Sequence, residues 1–205
     1  MKRLTASTLV LVIVLSACGG SERSTELRRT KNSALGAAAN YAGQNLQNRS
    51  FVGQDLRGAN FSKADLRGAK FTGANLSDAN FSEAKLDSAW LDNANLSGAN
   101  LYAWLERANL NGSNLRDAYL SNARLAGATL NDTDLTKANL RYADLRSATF
   151  AGANLTGANL TGADLRSVSF RGSTLKGANV ANANLTGATW TRGFNCQTMG
   201  ATGCP

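Results

Sequence analysis

A large apolar residue returns every five positions through most of this chain, and few folds can accept that period. The run opens Leu46, Phe51, Leu56, Phe61, Leu66 and continues through Leu86, Leu101, Leu110, Leu140 and Leu165 to Val180, Leu185 and Trp190. One spacing of four, from Leu101 to Leu105, interrupts it. The 30 centres comprise 22 Leu, six Phe, Val180 and Trp190. Two positions before the centre, 23 of 30 residues are Ala, so bulk is excluded there. Ser113, Thr133, Val168 and Ser173 are small substitutes, and only Gln44, Arg49 and Gln54, in the opening repeats, are large. One position before the centre 18 residues are Asn or Asp, and two positions after it 13 are Gly.

A period of five matches neither a helix at 3.6 nor an uninterrupted strand at 2.0. Within one unit, however, the Ala and the centre are two apart and share a face of an extended segment. One corner per unit then restores the phase. Gly after the centre permits positive φ at that corner, and Asn tolerates it too. Pro would remove a ladder donor, and the only Pro is Pro205, outside the repeats. Turning in one sense every five residues makes a helix of short strands, stacked coil on coil through main-chain hydrogen bonds. Leu and Phe go inside, and Ala sits where a larger side chain would collide.

Ala153-Asn154-Leu155-Thr156-Gly157 and Ala158-Asn159-Leu160-Thr161-Gly162 are full matches to the pattern Ala-(Asn/Asp)-Leu-x-x. The chain thus resembles the pentapeptide-repeat family over residues 46–192. The resemblance implies an all-β fold in a single domain: a right-handed quadrilateral parallel β-helix with four repeats per coil. Thirty repeats would make seven to eight coils, and at ~4.8 Å between neighbouring strands a rod ~35 Å long.

The flanks read differently. Lys2 and Arg3 precede an apolar run, Leu9-Val10-Leu11-Val12-Ile13-Val14-Leu15, too short to span a membrane. Residues 1–17 are expected to be a signal peptide. Leu15-Ser16-Ala17-Cys18 resembles the bacterial lipobox, which implies lipid on Cys18, cleavage before it and a membrane anchor. Gly19 rather than Asp follows Cys18, consistent with outer-membrane sorting in a two-membrane bacterium. Residues 18–31 are polar and read as a lipidated tether. Residues 32–45 are expected to be an N-terminal cap, as a short helix through Leu35 and Ala37-Ala38-Ala39 to Tyr41. The alternative is that Ala39-Asn40-Tyr41-Ala42-Gly43 forms an extra repeat centred on Tyr41. Residues 193–205 hold Cys196 and Cys204, expected to pair as a disulfide that caps the far end of the rod.

The short spacing at Leu101-Tyr102-Ala103-Trp104-Leu105 is expected to be a tolerated deletion at one corner, with a kink that presents Trp104 as the alternative. Arg57, Arg67, Arg116, Arg141, Arg146, Arg166, Arg171 and Lys176 follow centres directly and should face solvent. Trp90, Tyr102, Trp104, Tyr119 and Tyr142 also fall on outward positions. Tyr102, Tyr119 and Tyr142 are expected to form a diagonal track on one face, with Trp104 on the adjoining one. These four are the candidate binding face.

The chain has no His, and no nucleophile–base pair, phosphate loop or metal spacing is visible, so no catalytic residue, cofactor or metal is expected. Some pentapeptide-repeat proteins protect gyrase by imitating duplex DNA with an acidic surface. This chain carries a formal net charge of +8 and an export signal, so that role and nucleic-acid binding are not expected. The expected function is a non-enzymatic scaffold in the cell envelope, facing the periplasm or the extracellular side. It would hold the membrane through its lipid and engage a protein or glycan partner. The alternative is a binder of anionic wall polymer, glycan or lipid through the outward Arg, Lys and aromatic side chains.

Overall fold

The residue before each centre pairs in parallel with its equivalent one coil further on, as Asn40 with Asn60, Asn60 with Asn80, and Asn139 with Asn159. This computed structural model describes residues 39–190, and the pairing runs through all of them. The offset is twenty residues, or four repeats, except across the short spacing, where Lys85 meets Trp104 and Asn100 meets Tyr119 at nineteen. With a turn in every repeat, the coil has four sides, and the chain is an all-β, right-handed quadrilateral β-helix. Face 1 carries the centres Tyr41, Phe61, Phe81, Leu101, Leu120, Leu140, Leu160 and Val180. Face 2 runs from Leu46 to Leu185, face 3 from Phe51 to Trp190, and face 4 from Leu56 to Leu175.

One repeat shows how the main chain is satisfied. Leu140 N–H donates to the Asn159 carbonyl at 2.7 Å, Tyr142 N–H to the Thr161 carbonyl at 3.0 Å, and Asn159 N–H back to the Ala138 carbonyl at 2.9 Å. Ala143 N–H closes the corner on the Leu140 carbonyl at 3.1 Å. The third residue of that turn, Tyr142, has φ 58°, the mark of a type II turn. Every complete corner repeats this, whether the residue there is Gly or, as at Lys137 and Tyr142, one with a Cβ. The coil geometry dictates the conformation, and Gly adopts it without steric cost.

One donor remains in each repeat, the N–H just after the centre, and here the Asn/Asp preference finds its cause. At each of the 19 repeats in which Asn or Asp precedes the centre, its Oδ1 accepts that N–H. Where Thr or Trp replaces it, a side chain one coil earlier can serve instead. Asp87 accepts from Glu106 N–H at 3.2 Å, and Asn111 and Asn131 accept from Asn131 and Ala151 N–H at 2.9 Å. Leaving a polar group unpaired costs more than a made bond contributes, so the choice of Asn or Asp completes the ladder.

The interior is an apolar column. Nearly every centre and nearly every Ala is fully buried. Phe61 and Phe81 on face 1 stack at 4.9 Å, Phe51 and Phe71 on face 3 at 4.8 Å, and the two stacks meet edge to face at 5.5–5.9 Å. Faces 1 and 3 therefore oppose each other. Leu fills the middle coils, and Phe150, Phe170 and Trp190 form a second stack on face 3 at 5.4 and 4.7 Å.

Three of the Ala positions hold a hydroxyl. Ser173 Oγ donates to the Phe170 carbonyl at 2.7 Å and Thr133 Oγ1 to the Leu110 carbonyl at 3.2 Å. Ser113 Oγ is buried without a partner. Ser113→Ala should therefore raise stability by roughly 1–2 kcal/mol, the penalty of an unpaired buried hydroxyl. Thermal melting would show it, and an unchanged or lower melting temperature would contradict this account.

The N-terminal boundary needs correction. Residues 39–45 are not a capping helix: Ala39-Asn40-Tyr41-Ala42-Gly43 is the extra repeat. Tyr41 stacks on Phe61 at 4.8 Å, and Asn40 joins the ladder. The signal peptide, Cys18, the tether, residues 32–38 and the Cys196–Cys204 cap lie outside the described residues.

Candidate binding face at the shortened corner

The short spacing costs the rod one corner residue and little else. Leu101 N–H still reaches the Tyr119 carbonyl at 2.7 Å, and Leu105 N–H the Arg124 carbonyl at 2.7 Å. Trp104 N–H still donates to the Ala84 carbonyl at 3.0 Å. It is thus a local deletion, and the ladder runs through without a kink. Two things are lost: the turn that closes every neighbouring corner, and one carbonyl's donor. From Ser62 to Thr186, each described carbonyl just after a centre accepts an N–H from the coil before it, except that of Ser121. The residue that would have donated is the missing one.

Large side chains gather around this gap. Tyr102 and Tyr119 are 50% and 59% exposed and line one depression of about 530 Å³ with Asp78, Asn100, Ser121 and Asn122. Tyr102 also borders a second, of about 510 Å³, whose other walls include Lys63, Glu83, Lys85, Trp104 and Arg124. Tyr102 and Asn122 line both, so the two depressions adjoin at the corner between face 1 and face 2. Trp104 is on face 2, as its sequence position requires. Its ring lies between the Lys85 ammonium at 5.3 Å and the Arg124 guanidinium at 5.6 Å. Arg124 also pairs with Glu106 at 2.5 Å.

Two of the aromatic residues stand apart. Tyr142 occupies a positive-φ corner, not a flat flank, and its ring lies over Gly162 of the next coil, beside Arg141 at 5.3 Å. A Cβ at position 162 would strike that ring. Tyr142 lines neither depression, so the three tyrosines form no continuous track. Trp90, half exposed, is on face 3, opposite the gap.

Of the eight Arg and Lys that directly follow a centre, five form ion pairs among the described residues. Arg57, Arg67, Arg146 and Arg166 each fork onto the Asp two positions earlier, Asp55, Asp65, Asp144 and Asp164, at 2.6–2.8 Å. Arg116 reaches Asp134 at 3.3 Å. The Asp-Leu-Arg spacing, legible in the sequence, is the signal for these pairs.

The guanidiniums hold those four carboxyls below the usual range, chiefly through the side-chain hydrogen bond. A depressed folded pKa contributes stability above the unfolded value, lost as pH falls through the folded value. Melting temperature should therefore drop by a few degrees between pH 5 and pH 3, less in high salt because the pairs are exposed. Asp87 runs the other way: burial pushes its carboxyl up, helped by the Glu106 charge and partly offset by the hydrogen bond from Glu106 N–H. Its ionised form weakens the fold as pH rises, and Asp87→Asn, which keeps the acceptor for Glu106 N–H, should stabilise at pH 7 and not at pH 3. Melting curves that coincide at both pH values would refute this.

Comparison with known proteins gives a consistent family. The family model described as pentapeptide repeats (8 copies) matches residues 45–78 and 74–112, and that described as a pentapeptide repeat region matches 103–180. No curated protein matches. Among solved structures, HetL, a pentapeptide repeat protein involved in heterocyst differentiation regulation from the cyanobacterium Nostoc sp. strain PCC 7120, is 29% identical, with 86% of this chain and 91% of HetL covered and a TM-score of 0.43. Another Nostoc pentapeptide repeat protein, alr5209, is 32% identical over 52% of this chain and 82% of its own, with a TM-score of 0.31. QnrB1, a plasmid-mediated fluoroquinolone resistance protein, is 21% identical over 80% of this chain and 89% of its own, with a TM-score of 0.43.

Proposed function

The chain belongs to the pentapeptide-repeat family, and from that premise we propose that it is a non-enzymatic scaffold, tethered to the cell envelope through lipid on Cys18, that binds an envelope component at its shortened corner. One observation carries the binding part: Tyr102, Tyr119 and Trp104 stand exposed around the one gap in an otherwise regular, polar rod. Elsewhere on the described surface Asn, Ser, Thr and charged side chains predominate, as a solvated rod requires. Exposed rings gathered at one place support a contact surface. The lipobox-like Leu15-Ser16-Ala17-Cys18 supports the tether. The paired state of Arg57, Arg67, Arg146 and Arg166 weighs against adhesion through these cations.

The test has two arms in intact cells. A photo-crosslinking residue at position 119 should give defined adducts that the same residue at Ser97, on face 4, does not. Equal, diffuse labelling from both positions would overturn the binding face. Separately, Cys18→Ala should leave the detergent-extracted membrane fraction. A Cys18→Ala chain that is still processed and still needs detergent would overturn the lipid anchor.

A further inference from the structure

Resting on the binding face just described, we propose that the gap over the shortened corner binds an oligosaccharide with a carboxylate-bearing sugar at its face 2 end. The rings are isolated from aliphatic surface. Among the described residues the exposed large hydrophobics are Val52 on face 3 and five aromatics. The rings give way to Asn100, Ser121, Asn122 and Asp78. That alternation suits a pyranose. Its C–H face carries partial positive charge toward the electron-rich face of Tyr, while its hydroxyls reach sideways to amides and oxygens.

The Ser121 carbonyl adds an acceptor that no main-chain donor fills, placed beside both tyrosines. A sugar hydroxyl supplies the missing hydrogen bond. Each depression lies within the ~300–1,000 Å³ typical of small-molecule sites, and the two adjoin at Tyr102 and Asn122, so successive sugar rings can be seated side by side. The face 2 end fixes the charge. Lys63 and Lys85 border it and form no ion pair among the described residues, against one carboxylate, Glu83. Two ammonium groups facing one acid leave a place for a second, and the ligand brings it.

The column neighbours supply variants that keep the fold. Asn100 and Asn139 flank Tyr119 in the ladder, so Tyr119→Asn restores the residue type of its column. Tyr102→Ser does the same against Ser82 and Ser121. The full-length chain in detergent micelles would be titrated with tetragalacturonate and with chitotetraose at low salt, by calorimetry and saturation-transfer NMR. Tetragalacturonate should bind several-fold more tightly than chitotetraose. Tyr102→Ser and Tyr119→Asn should each weaken it at least ten-fold at unchanged melting temperature, and Lys63→Gln with Lys85→Gln should abolish the preference for the acid. No binding of either tetramer at millimolar concentration, equal binding of both, or affinity untouched by the tyrosine variants would overturn the proposal. A protein adduct at position 119 in cells with no saccharide binding in vitro would overturn the saccharide while leaving the scaffold reading in place.

Discussion

Leu140→Asp should remove the cooperative melting transition of the rod, whereas Thr156→Asp should melt within a few degrees of the parent. Leu140 has no exposed surface and sits between Leu120 and Leu160 in the face 1 column, with complete coils on both sides. A carboxylate there has no spare donor, since the surrounding N–H groups are already committed to the ladder. Burying it ionised costs far more than a domain of this size holds in reserve, and burying it protonated still leaves a polar group unpaired. Thr156 is the control because it lies on the same kind of repeat but faces outward. Its hydroxyl donates to Asn154 at 2.7 Å, and losing that bond costs about 1 kcal/mol. Circular-dichroism melts of the two variants decide the matter, and similar midpoints would show that the centres do not point inward.

The column could be read from the sequence because a period of five has one economical solution: one inward pair and one corner per unit. The count of centres and the smallness of the Ala positions follow from that pattern, whereas the coil of twenty is what the resemblance to the pentapeptide-repeat family implies. Tyr41 was harder. Its repeat, Ala39-Asn40-Tyr41-Ala42-Gly43, is preceded by Ala37 and Ala38, and Ala favours a helix locally. Stacking on Phe61 and pairing of Asn40 with Asn60 override that preference, a tertiary term that composition does not carry.

The candidate face was legible in part. Outward aromatic positions can be counted, and Tyr102, Tyr119 and Trp104 meet where the missing residue brings them. Tyr142 shows the limit of counting. Being near the same centre column does not put two residues on the same flat face, because the second residue after a centre sits on the corner at positive φ. From there the Tyr142 ring leans along the rod over Gly162, away from the gap. The unfilled Ser121 carbonyl was also out of reach, since it depends on which donor each carbonyl receives from the coil beneath. The Asn and Asp before each centre illustrate the same point. Their frequency is plain in the sequence, but their purpose emerges only when the ladder is seen to leave one N–H per repeat without a main-chain acceptor.

Phe71→Ala should cost about 3–5 kcal/mol. Phe71 is fully buried and touches three other rings: Phe51, stacked at 4.8 Å, and Phe61 and Phe81, edge to face at 5.5 and 5.9 Å. Removing it loses the transfer term of the ring, opens a cavity at the meeting of two stacks and forfeits three aromatic contacts worth about 0.5–1.5 kcal/mol each. The surrounding ladder resists collapse into the cavity because each coil is pinned to the next on all four sides by bonds of 2.6–3.2 Å. Phe71→Leu, which the Leu-filled coils show to be compatible with the column, should cost only about 1–2 kcal/mol. A solenoid couples mainly to its nearest neighbours, so the damage should concentrate in the coils around residues 51–91. Hydrogen exchange would then show amides there opening faster, with those around Leu140 to Leu160 less affected. A Phe71→Ala chain within 1 kcal/mol of the parent, or one whose exchange rises evenly along the rod, would mean that the aromatic stacks contribute no more than ordinary filling of the column.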